Sequence, residues 1–250
     1  LEGRAHNVEY NVYEQFFILH NERYLREFDL FWTNEERILY DFAVCNPPYY
    51  KLNKDSPQST AMMELISGQP NIYALFMALS ASMLRSEGEM VFITPRSFCS
   101  GLYYRKFREW FLSNVQIVNI HIFESRKEIF GKDEVLQENI IIKAKKLEEM
   151  SKYEKLIIST SEGKDFARLR KIEVKSADVI RHKDGESFVR IPASSLDIDI
   201  LHIVDAWPST LRDLGMEIST GPVVPFRAEK YLLYEPTRVP RSVPLLWMHN

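Results

Sequence analysis

The sequence predicts an α/β protein built on a doubly wound sheet with helices on both faces. Apolar runs rich in Ile and Val alternate with segments of helical periodicity up to about residue 150. The connections between them are short, as in sheets whose strands are joined by crossover helices. Of the 250 residues, 45% are hydrophobic and 27% are charged, which is typical of a chain that buries an ordinary core.

Four apolar runs are predicted to be strands. They are Leu39–Cys45, Glu89–Thr94, Val115–Phe123 and Asn139–Lys143. The first stops at Asn46-Pro47-Pro48 and the second at Pro95, because proline cannot donate to a strand ladder.

Two helices are predicted between these strands. Residues 71–84 place apolar side chains on one stripe at helical spacing, namely Ile72, Leu75, Phe76, Leu79 and Met83. Ser86-Glu87-Gly88 is predicted to be the turn that follows. The second helix covers residues 102–112 and carries Arg105, Lys106 and Arg108.

Composition excludes several classes of protein. No apolar run reaches the roughly 18–20 residues of a membrane-spanning helix, and no signal peptide precedes the first strand. Two cysteines, Cys45 and Cys99, cannot form a disulfide framework, and no Cys-x-x-Cys or His-x-x-x-His spacing indicates a structural zinc. We therefore expect a cytoplasmic protein with neither a metal site nor a membrane partner.

The composition and the hydrophobic periodicity of the sequence change after about residue 144. The stretch 143–155 is charged, and the remainder has short apolar runs, scattered prolines and little helical period. We expect residues 1–150 to form one domain and residues 151–250 to be a connector and the beginning of a second module. Since the chain starts without methionine and stops on an apolar stretch, we also expect it to be a window of a longer protein.

The tetrapeptide Asn46-Pro47-Pro48-Tyr49 is the most informative motif. It directly follows an apolar strand, at the carboxyl edge where α/β sheets build their binding sites. The alternative interpretation is a proline turn that does no more than close a strand.

With this motif the sequence resembles the S-adenosylmethionine-dependent amino-group methyltransferases, especially the adenine-specific DNA methyltransferases of type II restriction–modification systems. The likeness continues downstream, in segments 71–76, 88–95, 129–131, 139–142 and 220–227. It implies an N-terminally truncated, Rossmann-like methyltransferase sheet. Residues 1–150 would be a partial catalytic domain that leads into a target-recognition module. The tetrapeptide alone is shared with enzymes that methylate glutamine or RNA guanine.

The resemblance implies roles for four residues. Asn46 would accept a hydrogen bond from the target amine through its side-chain oxygen, and Pro47 through its backbone carbonyl. Tyr49 would stack on a base turned out of the duplex, with Phe130 as the second aromatic. For Phe130 the competing interpretation is a residue of the hydrophobic core.

The cofactor site is only partly represented in the sequence. Asp29 resembles the carboxylate that binds the adenine of S-adenosyl-L-methionine, and Phe76 the aromatic that packs on it. Asp29 could equally be an exposed acid, and Phe76 could be helix core. The family's glycine-rich loop is missing, because no two of the nine glycines are separated by a single residue. We therefore expect this chain alone to be inactive.

Double-stranded DNA is the expected partner. A cognate restriction endonuclease, fused or separate, is a second candidate partner. The net charge of −3 does not by itself indicate a protein that binds nucleic acid. If DNA is the partner, most phosphate-binding residues would lie beyond Asn250. Five basic residues could face the DNA backbone or simply be solvated, namely Arg105, Lys106, Arg108, Arg126 and Lys127. The alternatives are an RNA or protein-glutamine methyltransferase and a non-catalytic binding module.

Overall fold

The computed structural model describes residues 17–21, 38–65, 71–123, 138–147, 154–162 and 165–216. The chain divides into two compact units, Leu1–Ile203 and Val204–Asn250. All strands of the described part lie in the first unit.

The described residues form six helices and eight strands. The helices are α1 (Phe17–Asn21), α2 (Pro57–Ala61), α3 (Ile72–Ser82), α4 (Arg105–Asn114), α5 (Ser176–Val179) and α6 (Ser195–Asp205). The strands are β1 (Tyr40–Cys45), β2 (Leu84–Pro95), β3 (Val115–Phe123), β4 (Asn139–Lys146), β5 (Lys155–Glu162), β6 (Asp165–Lys175), β7 (Ile180–Lys183) and β8 (Glu186–Val189). Short 3-10 turns cover Met63–Leu65, Arg96–Cys99 and Leu102–Tyr104.

A six-stranded mixed sheet forms the centre of the first unit, in the order β1-β2-β4-β3-β5-β6. The pairs β1–β2 and β3–β5 are parallel, whereas β4 runs antiparallel to both of its neighbours and β6 antiparallel to β5. Four strands, β1, β2, β3 and β5, therefore point the same way and end at one edge. The predicted α/β class is confirmed.

The crossover helices α3 and α4 pack on one face of this sheet. Each joins two strands of the same direction, and the two helices contact each other. On β2 the residues facing these helices, such as Met90 and Phe92, are fully buried, whereas Val91 and Ile93 on the opposite face are half-buried. The described residues thus place both crossover helices on a single face, rather than one on each. No described helix is long and apolar enough to cross a membrane.

Helix α3 is more deeply buried than its apolar stripe predicts. Asn71 caps its first turn by accepting a hydrogen bond from the backbone N–H of Tyr73 at 3.4 Å. From Ile72 to Ala81 every residue is buried except Phe76, which is half-buried. The prediction of one apolar face is therefore too narrow, because the sheet, α1 and α4 all pack around this helix.

The turn predicted at residues 86–88 is a bulge at the start of β2. Tyr40 lies opposite Leu84, but Phe42 lies opposite Glu89, so the β2 side holds extra residues. Glu87 adopts a positive φ of 61° in this bulge. A Cβ on the neighbouring Gly88 would meet the Arg85 carbonyl oxygen at 2.9 Å, which leaves room only for glycine.

Strand β1 is apolar yet exposed. Phe42 is 70% and Val44 82% exposed, because both lie on the face of the sheet opposite α3 and α4, and because β1 is the edge strand of the sheet in the described residues. Hydrophobic periodicity alone does not distinguish an edge strand from a central one.

The sheet continues beyond the predicted domain boundary at residue 150. Strands β5 and β6 extend it, and the hairpin β7–β8 follows, all within the first compact unit. The change in sequence texture near residue 144 therefore does not mark the end of the sheet. The assignment of a second module to residues 151–250 stays a prediction.

Arg108 is neither solvated nor exposed to a partner, as both sequence interpretations assumed, but is 1% exposed. Its guanidinium donates to the backbone carbonyls of Phe98 (3.0 Å), Gly101 (2.9 Å) and Ser187, and it lies 5.3 Å from the ring centroid of Phe188. Burial lowers the pKa of Arg108, while the nearby Glu186 opposes that shift. One side chain thus joins α4, the turn after β2 and the β7–β8 hairpin.

We expect Arg108→Ala to lower the free energy of unfolding by roughly 3 kcal/mol, because three buried carbonyls lose their donor. Urea denaturation measures the change. The control is Lys106→Ala on the exposed face of the same helix, which should change stability by less than about 0.5 kcal/mol. Equal effects of the two substitutions would contradict the role of Arg108.

Candidate active site

The tetrapeptide Asn46-Pro47-Pro48-Tyr49 lies at the carboxyl edge of the sheet. Strand β1 ends at Cys45, which is paired with Phe92 of the parallel strand β2. The chain therefore passes the last residues of β2 as it leaves the sheet. Asn46 is exposed, Pro47 is buried and Tyr49 is half-buried. The polar Asn46 amide is therefore open to solvent and directly precedes a buried proline.

Two hydrogen-bond acceptors converge on the Tyr49 hydroxyl. It lies 2.6 Å from Asn46 Oδ1 and 2.8 Å from the backbone carbonyl oxygen of Ile93. Burial, with a smaller contribution from neighbouring Cys45, raises the pKa of Tyr49 to about 12, so the hydroxyl is protonated at neutral pH. The Asn46 oxygen is thus placed to accept a hydrogen bond from a donor at this position.

Two further tyrosines, Tyr73 and Tyr104, form an aromatic group with Tyr49 and support its ring. Its ring meets Tyr73 edge-on, with centroids 6.2 Å apart, and Tyr73 in turn lies 5.6 Å from Tyr104. The Tyr73 and Ser97 hydroxyl oxygens are 2.9 Å apart, and Ser97 donates to the Tyr104 hydroxyl at 3.4 Å. Burial raises the pKa of Tyr73, so this hydroxyl also stays protonated.

Sequence reasoning missed this support. Tyr73 is the one residue of α3 that combines a large ring with a polar tip, which is the signal that could have identified it. Ser97 and Tyr104 belong to the short turns after β2, whose path periodicity does not predict, so the sequence alone did not bring them next to Tyr73.

Cys45, which directly precedes the tetrapeptide, is half-buried. Burial raises its pKa, which favours the neutral thiol over the nucleophilic thiolate. This agrees with a mechanism that has no covalent intermediate on cysteine.

Of the two residues predicted to bind cofactor, only Phe76 lies in the described part. Its ring stacks on Phe17 with centroids 4.8 Å apart and an interplanar angle of 23°, so one ring face is already covered. Asp29 and Phe130 lie outside the described residues, as does segment 220–227. The described residues therefore contribute one half-buried ring and no complete cofactor pocket.

A second polar cluster lies farther along the same edge, on β3 and β5. His121 is 5% exposed, and its two ring nitrogens each lie 3.0 Å from a serine hydroxyl, Ser159 at Nδ1 and Ser161 at Nε2. Burial lowers the pKa of His121, which favours the neutral ring. Strand β3 lies two strands away from β2 in the sheet, so His121 is roughly 10 Å from β2. Its contacts with Ser159 and Ser161 join β3 to β5 through buried polar side chains.

The sequence is similar to that of known proteins over most of its length. A sequence model of the Eco57I restriction-modification methylase family matches residues 4–130, which include the tetrapeptide and both crossover helices. The chain is 34% identical over 214 residues to the type II methyltransferase M.BsuBI of Bacillus subtilis. It is also 34% identical over 208 residues to the type II methyltransferase M.PstI of Providencia stuartii.

These matches cover 84% and 83% of the chain but only 41% and 40% of the two relatives, so the chain spans about two fifths of their length. Among solved structures, a modification subunit assigned to a type I restriction enzyme of Vibrio vulnificus is similar with a TM-score of 0.50. That similarity covers 66% of this chain and 40% of the other at 9% identity, and it supports the fold alone.

The raised pKa of Tyr49 predicts a specific dependence of stability on pH. The contribution of the neutral hydroxyl is fully present below the unfolded-state pKa of about 10 and is lost as pH rises through about 12. Tyr49→Phe lacks this group and its hydrogen bonds, so near neutral pH we expect it to be less stable by about 1 kcal/mol. That difference should narrow between pH 10 and pH 12 in urea denaturation.

The matched control is Tyr50→Phe, which removes a hydroxyl from a side chain that is 53% exposed. Its stability difference from the wild type should stay small. A difference in stability between Tyr49→Phe and the wild type that stays constant through the alkaline range would contradict the burial of the Tyr49 hydroxyl.

Proposed function

Because the chain belongs to the Eco57I restriction-modification methylase family, we propose that it carries the base-binding part of a DNA methyltransferase specific for adenine. The methyl group would pass from S-adenosyl-L-methionine to the exocyclic amino nitrogen. The single observation that supports this most is the Asn46 oxygen, which accepts a hydrogen bond at 2.6 Å at the open carboxyl edge of the sheet.

An exocyclic amine on a purine ring is a weak nucleophile, because its lone pair is delocalised into the ring. Acceptors aimed at its hydrogens favour a pyramidal nitrogen whose lone pair is free to attack. We assign this role to the Asn46 side chain and to the Pro47 carbonyl. Proline restricts φ to about −65° and so holds the direction of the chain at this point.

Adenine inside a duplex cannot reach this edge, so the base would leave the stack at a cost of a few kcal/mol. Stacking on an aromatic ring returns about 1–3 kcal/mol. We propose Tyr49 as the platform, since its ring is held by the buried Tyr73, and Phe130 as the aromatic on the opposite side of the base.

S-adenosyl-L-methionine would supply an electrophilic methyl group to the attacking nitrogen. From this chain, Phe76 could contribute a ring face to its adenine and Asp29 a carboxylate. These residues form a partial set, and the sequence contains no Gly-x-Gly to approach the rest of the cofactor.

Double-stranded DNA is the proposed substrate, and a cognate restriction endonuclease, fused or separate, the proposed functional partner. Methylation of RNA or of protein glutamine by the same tetrapeptide is the competing function. A labelled methyl transfer followed by digestion of DNA, RNA and protein identifies which polymer, and which base, carries the product.

We expect Asn46→Ala in the full-length protein to lower the rate of adenine methylation by at least about 100-fold, because one acceptor for the target amine is lost. Incorporation of labelled methyl groups into unmethylated plasmid DNA measures the rate. Since Asn46 is exposed, the fold and cofactor affinity should change little.

The control is Asn53→Ala, an exposed asparagine on the loop after the tetrapeptide that takes part in hydrogen bonds through its backbone carbonyl. This variant should retain full activity. Methylation that survives Asn46→Ala unchanged would refute the proposed role of Asn46.

We expect the 250-residue chain by itself to show no micromolar binding of S-adenosyl-L-methionine. The sequence contains no Gly-x-Gly to approach the cofactor, and one face of Phe76 is already covered by Phe17. Isothermal titration of the isolated chain tests this. A dissociation constant in the micromolar range would mean that the chain forms a complete cofactor site.

A further inference from the structure

The turn Arg96–Cys99 continues the chain of β2 beyond the carboxyl edge of the sheet. Pro95 is paired with Asn139 at the end of the ladder between β2 and β4, and Arg96 and Glu138 are the next residues beyond that pair. The Arg96 backbone N–H donates to the Glu138 carbonyl oxygen at 2.9 Å. The backbone of Arg96 is therefore held at the same edge as the tetrapeptide.

Two side-chain contacts fix this turn relative to the site. The Ser97 hydroxyl oxygen lies 2.9 Å from that of Tyr73, the buried tyrosine that meets the Tyr49 ring. The buried guanidinium of Arg108 donates to the Phe98 carbonyl at 3.0 Å. Because the residues on either side of the turn cannot shift freely, Arg96 has a defined position relative to Tyr49.

The Arg96 side chain is 54% exposed and forms an ion pair between its Nη1 and Oε2 of Glu138. A guanidinium carries five N–H donors in one rigid plane, so a contact through Nη1 does not use its full capacity. The carboxylate restricts the orientation of this plane. The guanidinium thus keeps donors and exposed surface for a second anion.

The position of Arg96 suits a phosphate of a nucleotide bound at the site. Arg96 follows Ile93, whose carbonyl accepts the Tyr49 hydroxyl, by three residues, so their Cα atoms are at most about 11 Å apart. A base that enters the site stays joined through its sugar to two backbone phosphates, which must then lie near this edge. Arginine binds phosphate strongly, because its planar fork can donate two parallel hydrogen bonds.

Arg105 is less suited to this role. Its guanidinium lies 3.3 Å from a carboxylate oxygen of Glu109 and 3.3 Å from one of Glu186. One cation with two carboxylates has a net negative charge, which repels a phosphate. The Arg96–Glu138 pair has no net charge, so the cost of bringing a phosphate to it is lower.

We propose that Arg96 binds a backbone phosphate of the nucleotide whose base enters the site, and so positions that nucleotide for the Asn46 side chain. This inference rests on the proposed function and deepens it, because it names a contact with the DNA backbone. Arg96 is a positioning residue, since phosphate contacts fix the register and orientation of DNA. The competing interpretation is an exposed ion pair that serves only the fold.

The test measures how DNA affinity depends on salt in the full-length protein, saturated with S-adenosyl-L-homocysteine so that no turnover occurs. The recognised site is first mapped by sequencing plasmid DNA that the wild type has methylated. Fluorescence anisotropy then gives the dissociation constant of a duplex with this site across roughly 50–200 mM KCl. The slope of log affinity against log salt concentration reports how many phosphates the protein neutralises.

We expect Arg96→Gln to weaken binding about tenfold at the lowest salt concentration and to reduce the slope by about 0.9, which corresponds to one phosphate. Arg96→Lys keeps the charge and should keep the slope, but with weaker binding because the two parallel hydrogen bonds are lost. Glu138→Gln should bind DNA about threefold more tightly, since it removes a negative charge close to the phosphate.

Arg85→Gln is the matched control. Arg85 is also 54% exposed and also paired with one carboxylate, that of Asp41 at 3.0 Å. It lies at the beginning of β2, at the opposite edge of the sheet from Arg96. The salt slope and the DNA affinity of this variant should equal those of the wild type.

An unchanged slope in Arg96→Gln would overturn the phosphate contact, even while the wild type methylates adenine. Glu138→Gln decides the question independently of how well Arg96→Gln folds. If it weakens DNA binding, the ion pair itself is what matters and the proposed contact is wrong. A wild-type protein that methylates no DNA adenine would instead overturn the proposed function.

Discussion

The parallel pairing of β1 with β2 is the constraint on which the rest of the site depends. It sets Cys45 opposite Phe92, so the chain that continues into Asn46 must pass the end of β2. Two prolines prevent that chain from pairing further and turn it over the carboxyl edge. As a result the Tyr49 hydroxyl reaches the Ile93 carbonyl, a backbone group 44 residues away in sequence.

Side chains that are buried between the sheet and its crossover helices stabilise the carboxyl edge. Helix α3 brings Tyr73 under the Tyr49 ring, and the hydroxyls of Ser97 and Tyr104 join it to the turns after β2. Arg108 also stabilises the turns after β2 by donating hydrogen bonds to the carbonyls of Phe98 and Gly101, and it donates to the Ser187 carbonyl of the β7–β8 hairpin. On the open side of the site, Asn46 is exposed and Tyr49 half-buried.

Local patterns predicted β1 to β4, α3 and α4 but not the strands and helices after residue 150, and these limits have physical causes. Periodicity reports that a segment is apolar but not how many neighbours cover it. It therefore placed α3 correctly yet did not reveal that almost every residue of α3 is buried, or that Phe42 and Val44 of β1 are exposed. The basic residue Arg108 was expected at the surface on composition alone, because its carbonyl partners come from distant turns.

By itself the sequence determined the α/β class, the strand that leads into the site and the tetrapeptide that supplies its polar groups. Those properties depend on neighbours along the chain: alternating apolar runs, and prolines that end a strand. Only the tertiary structure decided that β5 and β6 extend the sheet and that α3 and α4 share one face. It alone also brought the Ile93 carbonyl to Tyr49, because such contacts depend on strand order and register, which local spacing does not encode.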